Sequence, residues 1–564
     1  MRADFIRIYK SVHTWTGILS GMALFIAFYA GALTVFKEPI NRWASPPSAT
    51  PAVPLAQAQG LITQTLAAQP SVAKDFAIHL REAEHLPARM SWQVRSPGGD
   101  DHDESSTRHH AATLDEHGQA QSKEVHPAQL GSLIDTLHRV VGLPADNDPN
   151  RWFMGVVATL YALALMSGVI VLLPSLVKDF FALRVGKNLK RMWLDAHNVV
   201  GIVSLPFHLI MALTASVFAF HDGIYFLQDK VLHEGRLASA FQGPKPAAGT
   251  PQARDPSTML PPPALVARVR EVAPGFEPSM LQYQNITSPR ATVRVWGKDT
   301  TAIAPRARGG FAAVDPYSGR VISTDFLPGH QATPNLVVSS FFALHMASFG
   351  GTPVQWMYFL LGLAGAWLFY SGNLLWIETR RKQASKRHPE APAQRLDTRL
   401  MASATVGICL GCVCGISLTI VSGKWLHGHV HNLAAWHQAL YYGTFFGCIA
   451  WAFLRGGAVA SVHLLRLASL LTLAIPLSTL LAWLWPSMGL WGHTSLATLG
   501  VDATALTGAL GFAWMARATA RRVHGGPLDS VWSACQAQAQ PPTTDAAAGA
   551  MDGAPLMPTQ APKG

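Results

Sequence analysis

The sequence predicts an all-α membrane helix bundle of about eight spans, the first four an internal duplication, with two small α+β domains on its outer side. Three observations predict it. Of the 564 residues 49% are hydrophobic and only 14% are charged, against roughly 25% charged in an average soluble domain. Several apolar runs reach the roughly 20 residues that a spanning helix requires. Two long polar segments, 38–150 and 222–338, interrupt those runs. The net charge of +11 does not indicate nucleic acid. Lys and Arg sit in short clusters at the ends of apolar runs, which is the pattern of membrane topology.

The expected spans are 14–36, 152–174, 197–220, 354–377, 401–422, 438–455, 463–485 and 496–516. The first is too long for the core of a cleaved signal peptide and reads as a retained anchor. The last is the weakest, because Asp502 interrupts it. Basic clusters mark alternate ends: Arg2, Arg7 and Lys10; Arg184, Lys187, Lys190 and Arg191; Arg380, Arg381, Lys382 and Lys386; Arg455 and Arg466; Arg517, Arg521 and Arg522. The positive-inside rule puts these clusters and the N-terminus in the cytoplasm. The organisation is then 1–37 first helix, 38–150 outer domain, 151–221 second and third spans, and 222–338 second outer domain. It continues with 339–382 fourth span and its outer entry segment, 383–400 cytoplasmic linker, 401–516 four further spans and 517–564 disordered tail.

In the outer segments "MSWQVRSP" alternates like a strand, and "ATLDEHGQ" reads as a strand end plus a turn. "ATVRVWGK" and "GGFAAVDPYSGRVIST" read as strands with a turn at Asp315–Gly319. Pro/Ala-rich linkers such as "PPSATPAVPLA" and "PKPAAGTPQARDPSTMLPPP" flank them. "DDHDESSTRHH" reads as a solvated loop.

An internal repeat follows. "SVHTWTGILS" matches "DAHNVVGIVS", pairing His13 with His197 and Gly17 with Gly201. "TLHRVVGLP…RWFMGVVATLYALALMSG" matches "ALHMASFGGTPVQWMYFLLGLAGAWLFYSG", pairing His138 with His345. Two histidines fall at each of two depths, which is what a pair of bis-histidine b-type haems requires. Gly17, Gly21 and Gly201 leave room for the macrocycle. His208 lies 11 residues after His197, roughly 16 Å and three turns along one straight helix, on the same face. It is an alternative outer ligand to His138, while His221 beside Asp222 reads as interfacial. A single histidine of this kind can simply hydrogen-bond a head group or a neighbouring helix; the matched set favours ligation. "CLGCVCG" reads as small residues within a helix rather than a metal motif, and Cys535 lies in the tail. "KWLHGHVHNLAAWH", with His427, His429, His431 and His437, reads as a solvated outer loop, with transition-metal binding as the alternative.

The pieces "SVHTWTGILSGMALFIAFYAGALTVF", "KDFFALR", "WLDAHNVVGIVSLPFHLIMALT", "VDPYSGRVI" and "LHMASFGGTPVQWMYFLLGLAGAWLFYSGNLLW" occur in that order over the first 380 or so residues. Together they resemble the PepSY-associated transmembrane family, which includes inner-membrane ferrisiderophore reductases and iron-regulated membrane proteins. "VDPYSGRVI" resembles the closing hairpin of a PepSY domain. The resemblance implies haem-bearing helices of the bacterial inner membrane that pass electrons outward to a ferric chelate, and PepSY-like periplasmic domains. The family's histidines carry over to His13, His138, His197, His208 and His345. Where relatives often show a further histidine beyond the Ser-Gly of the second span, this chain has Leu172. The last four spans resemble extended members only loosely.

The expected protein is therefore a dihaem b-type cytochrome and ferric-siderophore reductase. His13 and His197 would hold the inner haem, and His345 with His138 or His208 the outer one. Its surroundings are membrane lipid, and its substrate is a periplasmic ferric siderophore. No Gly-x-Gly-x-x-Gly follows a strand, so electrons come from a separate cytoplasmic donor, a flavin reductase or quinol. The alternatives are a PepSY-type regulator of a peptidase or envelope process without redox activity, a siderophore or iron transporter, and a cytochrome serving another acceptor.

Overall fold

The computed structural model describes residues 3–47, 53–80, 88–95, 107–125, 128–177, 189–231, 234–235, 253–304, 306, 309–382 and 392–534. Helices occupy all eight expected apolar runs. The long ones are α1 (Ala3–Thr34), α5 (Asp148–Leu172), the pair α6 (Leu189–Val203) and α7 (Leu205–Ala219), and α11 (Gly351–Thr379). They are followed by α12 (Leu396–Trp425), α13 (Leu433–Arg455), α14 (Gly457–Leu484) and α15 (Leu496–Gly525). Six are long and apolar enough to cross a membrane, or seven if the bent pair α6–α7 is one span; α13 is not among them. "KDFFALR", Cys535 and the tail beyond it lie outside the described residues.

The third expected span is not one straight helix. α6 and α7 meet at 68°. Pro206, in the first turn of α7, lacks an N–H and its ring clashes with the carbonyl four residues back. The backbone therefore breaks at Ser204, and the straight-helix register between His197 and His208 does not hold.

Caps fix several starts. Asn147 accepts from the backbone N–H of Asn150 at 3.0 Å to open α5, and Asn432 accepts from Ala435 at 2.9 Å to open α13. In the C-terminal bundle α12 is the buried centre. A Cβ on Gly407, Gly411 or Gly415 would stand 2.9–3.0 Å from α13 atoms. This small-residue ridge lets the two helices approach closely. Cys409, Cys412, Cys414 and Cys448 are buried free thiols in the same packing layer.

The two outer segments were expected as separate domains; their strands form one sheet. Its order is β4-β3-β2-β1-β5-β6-β7-β8. The strands are β1 (Asp75–His79), β2 (Met90–Arg95), β3 (Thr107–Leu114), β4 (Ala120–Val125), β5 (Glu277–Gln284), β6 (Thr292–Lys298), β7 (Gly310–Val314) and β8 (Val321–Phe326). β1 and β5 join the halves antiparallel, with Ala77 opposite Gln282. Each half alone would present an unpaired edge, and pairing satisfies both rows of backbone groups. Helices α3 (Ala58–Ala68) and α9 (Pro262–Val272) cover one face. Leu61, Ile62, Phe76, Ile78, Leu265, Val269, Tyr283 and Val295 form the shared core beneath them.

Both halves close with an aspartate turn. Asp115 Oδ1 accepts from the N–H of His117 and Gln119, and Gly118 sits at φ +74°. Asp315 Oδ1 accepts from Tyr317 and Ser318, and Gly319 sits at φ +73°. Only glycine takes that left-handed conformation without steric cost. From β8 the chain enters α10 (Thr333–Met346), which leads into α11.

Candidate paired-histidine sites

A pair of histidine rings lies near each end of α1. Near its N-terminal end, His13 faces His197 of α6 with ring centroids 6.5 Å apart. His13 Nδ1 lies 2.8 Å from the carbonyl oxygen of Ala164 on α5. A carbonyl only accepts, so His13 carries its proton on Nδ1. His197 Nδ1 lies 2.9 Å from Ser371 Oγ on α11. Ser371 Oγ also lies 3.0 Å from Leu368 O, and a hydroxyl that donates there accepts from His197 Nδ1–H. Gly168 packs against His13, where a Cβ would stand 2.9 Å from the ring.

Towards the other end of α1, His138 of α4 (Leu130–Arg139) faces His345 of α10 at 5.9 Å. His138 Nδ1 donates to Ala27 O on α1 at 2.7 Å. His345 Nδ1 lies 2.8 Å from Thr214 Oγ1 on α7, and Thr214 donates its own proton to Ile210 O. Gly31 is required here, since a Cβ would come within 2.7 Å of the His138 ring. α4 itself is held by α2 (Lys37–Ala44). Lys37 pairs with Asp135 at 3.2 Å, and Asn41 Oδ1 accepts from Gly131 N–H at 2.7 Å.

His13 and His138 therefore carry Nδ1–H, and the hydroxyls beside His197 and His345 accept the same tautomer, which ties Nδ1–H to the scaffold and leaves the Nε2 lone pair available. This is how a protein orients imidazoles as metal ligands. Two imidazoles bound through Nε2 at about 2 Å from one metal have centroids roughly 6 Å apart, close to both observed separations. Among the described residues no group of three or more His, Cys, Asp or Glu is placed to hold a metal. Two imidazoles alone suit a metal that brings its own equatorial ligands, as haem iron does. Space is present as well: beside Gly17 and Gly201, each one turn from its histidine, a Cβ would meet nothing within 4 Å. Gly21 differs from the expectation, because Asn373 Oδ1 already lies 3.2 Å from its Cβ position.

Among the described residues His208 faces no second histidine ring. It is 3% exposed, and its Nδ1 lies 2.6 Å from the Tyr161 hydroxyl. Phe28, Phe207 and Phe369 surround the ring, and its buried Nε2 has no partner. His221 uses both nitrogens locally, on Phe218 O and Asp222.

Sequence reasoning missed the partners that set the tautomers. The repeated Ser-Gly pairs were their one signal: Ser371 holds His197, and Gly168 and Gly372 lie against His13 and His197. It also missed Lys424, which is 2% exposed inside the C-terminal bundle. Its Nζ donates to Thr479 at 2.9 Å and lies 3.8 Å from the Trp43 ring centroid. Trp43 Nε1 and Thr479 both donate to Asp502 Oδ1. The expected outer loop around His427 is shorter than read, since Lys424 lies in α12 and His437 in α13. His437 is 1% exposed, with both ring nitrogens unpartnered.

The model of a family described as PepSY-associated TM region matches residues 10–379. That segment contains both histidine pairs and the whole sheet. No curated protein matches the chain.

Proposed function

The chain belongs to the PepSY-associated TM region family, and on that premise we propose that it is a dihaem b-type cytochrome of the bacterial inner membrane that reduces a periplasmic ferric siderophore. The observation that carries this reading is the pair of histidine couples, both with Nδ1–H anchored and Nε2 free, at 6.5 and 5.9 Å. His13 with His197 would hold one haem and His138 with His345 the other. Haem bound there supplies one-electron transfer between the two ends of α1. The scaffold orients the rings through Ala164, Ser371, Ala27 and Thr214. Phe28, Phe207, Tyr161 and Phe369 pack against one another around the buried His208.

The matched couples also support the duplicated two-helix unit. The N-terminus and the first histidine couple lie in this reading on the cytoplasmic side, and the sheet, as PepSY-like domains, in the periplasm. Ferric iron is held by hard oxygen donors far more tightly than ferrous iron, so one electron loosens the chelate. The electron enters from a separate donor, a flavin reductase or quinol.

A second reading has one observation in its favour. Lys424, Thr479 and Asp502 form a buried polar chain within apolar helices, and such groups often mark ion or substrate paths. This is what a transporter would need. The discriminating experiment is the absorption spectrum of the detergent-purified protein, oxidised and then dithionite-reduced, with haem counted per chain. A sharp reduced α-band and about two haems per chain are expected. Protein free of haem after expression with ample iron and haem precursor sinks the cytochrome reading.

A further inference from the structure

One face of the sheet lies under α3 and α9; among the described residues the other carries no helix of the sheet domain. On β6 the core residues Val293 and Val295 alternate with half-buried Arg294 and Trp296, which point to that uncovered face. Aromatic rings continue across it. Trp296 lies 4.6 Å from Phe311 on β7, and Phe311 stacks at 5.0 Å on Phe326 of β8. The Arg294 guanidinium stands 5.0 Å from the Phe311 centroid. Arg306 stands 5.6 Å from Phe326 and 4.9 Å from Phe342 on α10. Phe342 then lies 5.0 Å from Phe218, and Phe218 lies 5.1 Å from His345. The ladder of rings and guanidiniums therefore runs from the open sheet face to the helix that carries His345.

Its charge is unbalanced. Among the described residues neither Arg294 nor Arg306 makes an ion pair; each is recorded over aromatic rings. Asp75 on β1 is the carboxylate that attracts Arg294, but its oxygens accept amide N–H groups from Gln282 and Gln284 at 3.0–3.2 Å. Burial, and then the neighbouring Arg306, hold the Arg294 pKa below its usual value, against the pull of Asp75. Two adjacent cations beside half-buried aromatic rings suit an anion that also has flat rings.

We infer that this face docks an anionic ferric chelate built from aromatic oxygen donors, a ferric tris-catecholate, and delivers it to the end of the bundle where His345 lies. The inference rests on the proposed reductase reading for its purpose, but not for its geometry. A ferric tris-catecholate is a trianion with three planar rings. A ferric tris-hydroxamate of small hydroxamic acids is neutral and has no ring, so the face discriminates between the two. The guanidiniums take the negative catecholate oxygens, and the Phe and Trp faces take the rings.

The test is equilibrium dialysis of the full-length chain in lipid nanodiscs against ferric tris-catecholate and, separately, ferric tris-acetohydroxamate, with iron counted on both sides. Haem is counted on the same samples. The wild type is expected to hold the catecholate in preference to the hydroxamate, less tightly as salt rises. Arg294→Gln with Arg306→Gln should weaken catecholate binding by about tenfold or more. Arg294→Lys with Arg306→Lys should retain most of it, which separates lost charge from lost folding. Equal binding by wild type and the Gln double variant, or equal retention of the neutral chelate, overturns the inference. Haem present without arginine dependence sinks the docking face alone. Arginine-dependent binding without haem supports the face and sinks the reductase reading instead.

Discussion

His138 and His345 stand with ring centroids 5.9 Å apart, although one ring is tied to Ala27 of α1 and the other to Thr214 of α7. His13 and His197 repeat the relationship with Ala164 and Ser371. Four different helices therefore supply the acceptors that turn four Nε2 lone pairs free. A ring held only by packing has no such constraint on its tautomer.

If each couple holds a haem as proposed, removing one histidine of a couple is expected to remove one haem and spare the other. His13→Ala or His197→Ala should lower the count from about two haems per chain to about one, and His138→Ala or His345→Ala should do the same for the second site. His208→Phe should leave the count unchanged, because His208 faces Tyr161 and aromatic rings rather than a second imidazole. Pyridine haemochrome assay of each purified variant checks this. Loss of both haems in His208→Phe would reassign the ligands.

Gly17→Ala and Gly201→Ala separate space for a ligand from ordinary packing. Nothing lies within 4 Å of either added methyl, and alanine is the better helix former by up to about 1 kcal/mol. The haem-free protein should therefore be no less stable, while haem loading falls. Gly168→Ala differs, since its methyl would press on the His13 ring at 2.9 Å. It should lower haem loading and stability together. Thermal unfolding with and without haem reads both effects.

Ser371→Ala tests the orienting bond. It removes the acceptor of His197 Nδ1–H at 2.9 Å while leaving the ligand in place. The haem count should be retained and the midpoint potential of one haem should shift, as expected for loss of a group that tunes ligand basicity. An unchanged redox titration would show that this bond only packs the helix.

Asp315 is expected to make the sheet acid-sensitive. Although partial burial alone would raise its pKa, the Ser318 N–H, the Arg254 side chain and the Tyr317 N–H hold it below the ordinary 3.8. A carboxylate depressed on folding contributes stability that is complete above its unfolded pKa and is lost as pH falls through the folded one. The contribution should disappear below about pH 4. Asp315→Asn should destabilise the sheet by about 1–2 kcal/mol at neutral pH and remove that part of the acid dependence, as read by urea unfolding followed through sheet tryptophans.

Lys424 should be the costliest side chain of the C-terminal bundle to disturb on one side only. Asp502→Asn should destabilise, because it removes the carboxylate facing a buried ammonium. Breaking one member of a buried charged set costs on the order of 3 kcal/mol, whereas replacing the whole set often costs little. Lys424→Met combined with Asp502→Asn should therefore recover stability relative to Asp502→Asn alone. Thermal unfolding in detergent gives the comparison.

The sequence by itself determined the helices, because an apolar run of spanning length specifies one whatever surrounds it. Its similar His-containing pieces also singled out His13, His197, His138 and His345, which the structure brings into two pairs. The sequence placed the Asp315–Gly319 turn, since an aspartate acceptor and a glycine at positive φ act within a few residues. β1, β4 and β5 escaped notice: β1 is short, β4 in "AQSKEV" is mostly polar, and β5 in "EPSMLQYQ" mixes Pro, Glu and Gln into its alternation. Tertiary structure alone decided which edges join, so that two expected domains became one sheet through β1 and β5. It decided the tautomers, because Ala27, Ala164, Thr214 and Ser371 are remote in sequence from the rings they hold. It likewise revealed that Asp502, an interruption in an apolar run, is the acceptor for Trp43 and Thr479. Local signals depend on neighbours a few bonds away; these pairings depend on which surfaces the packed helices bring together.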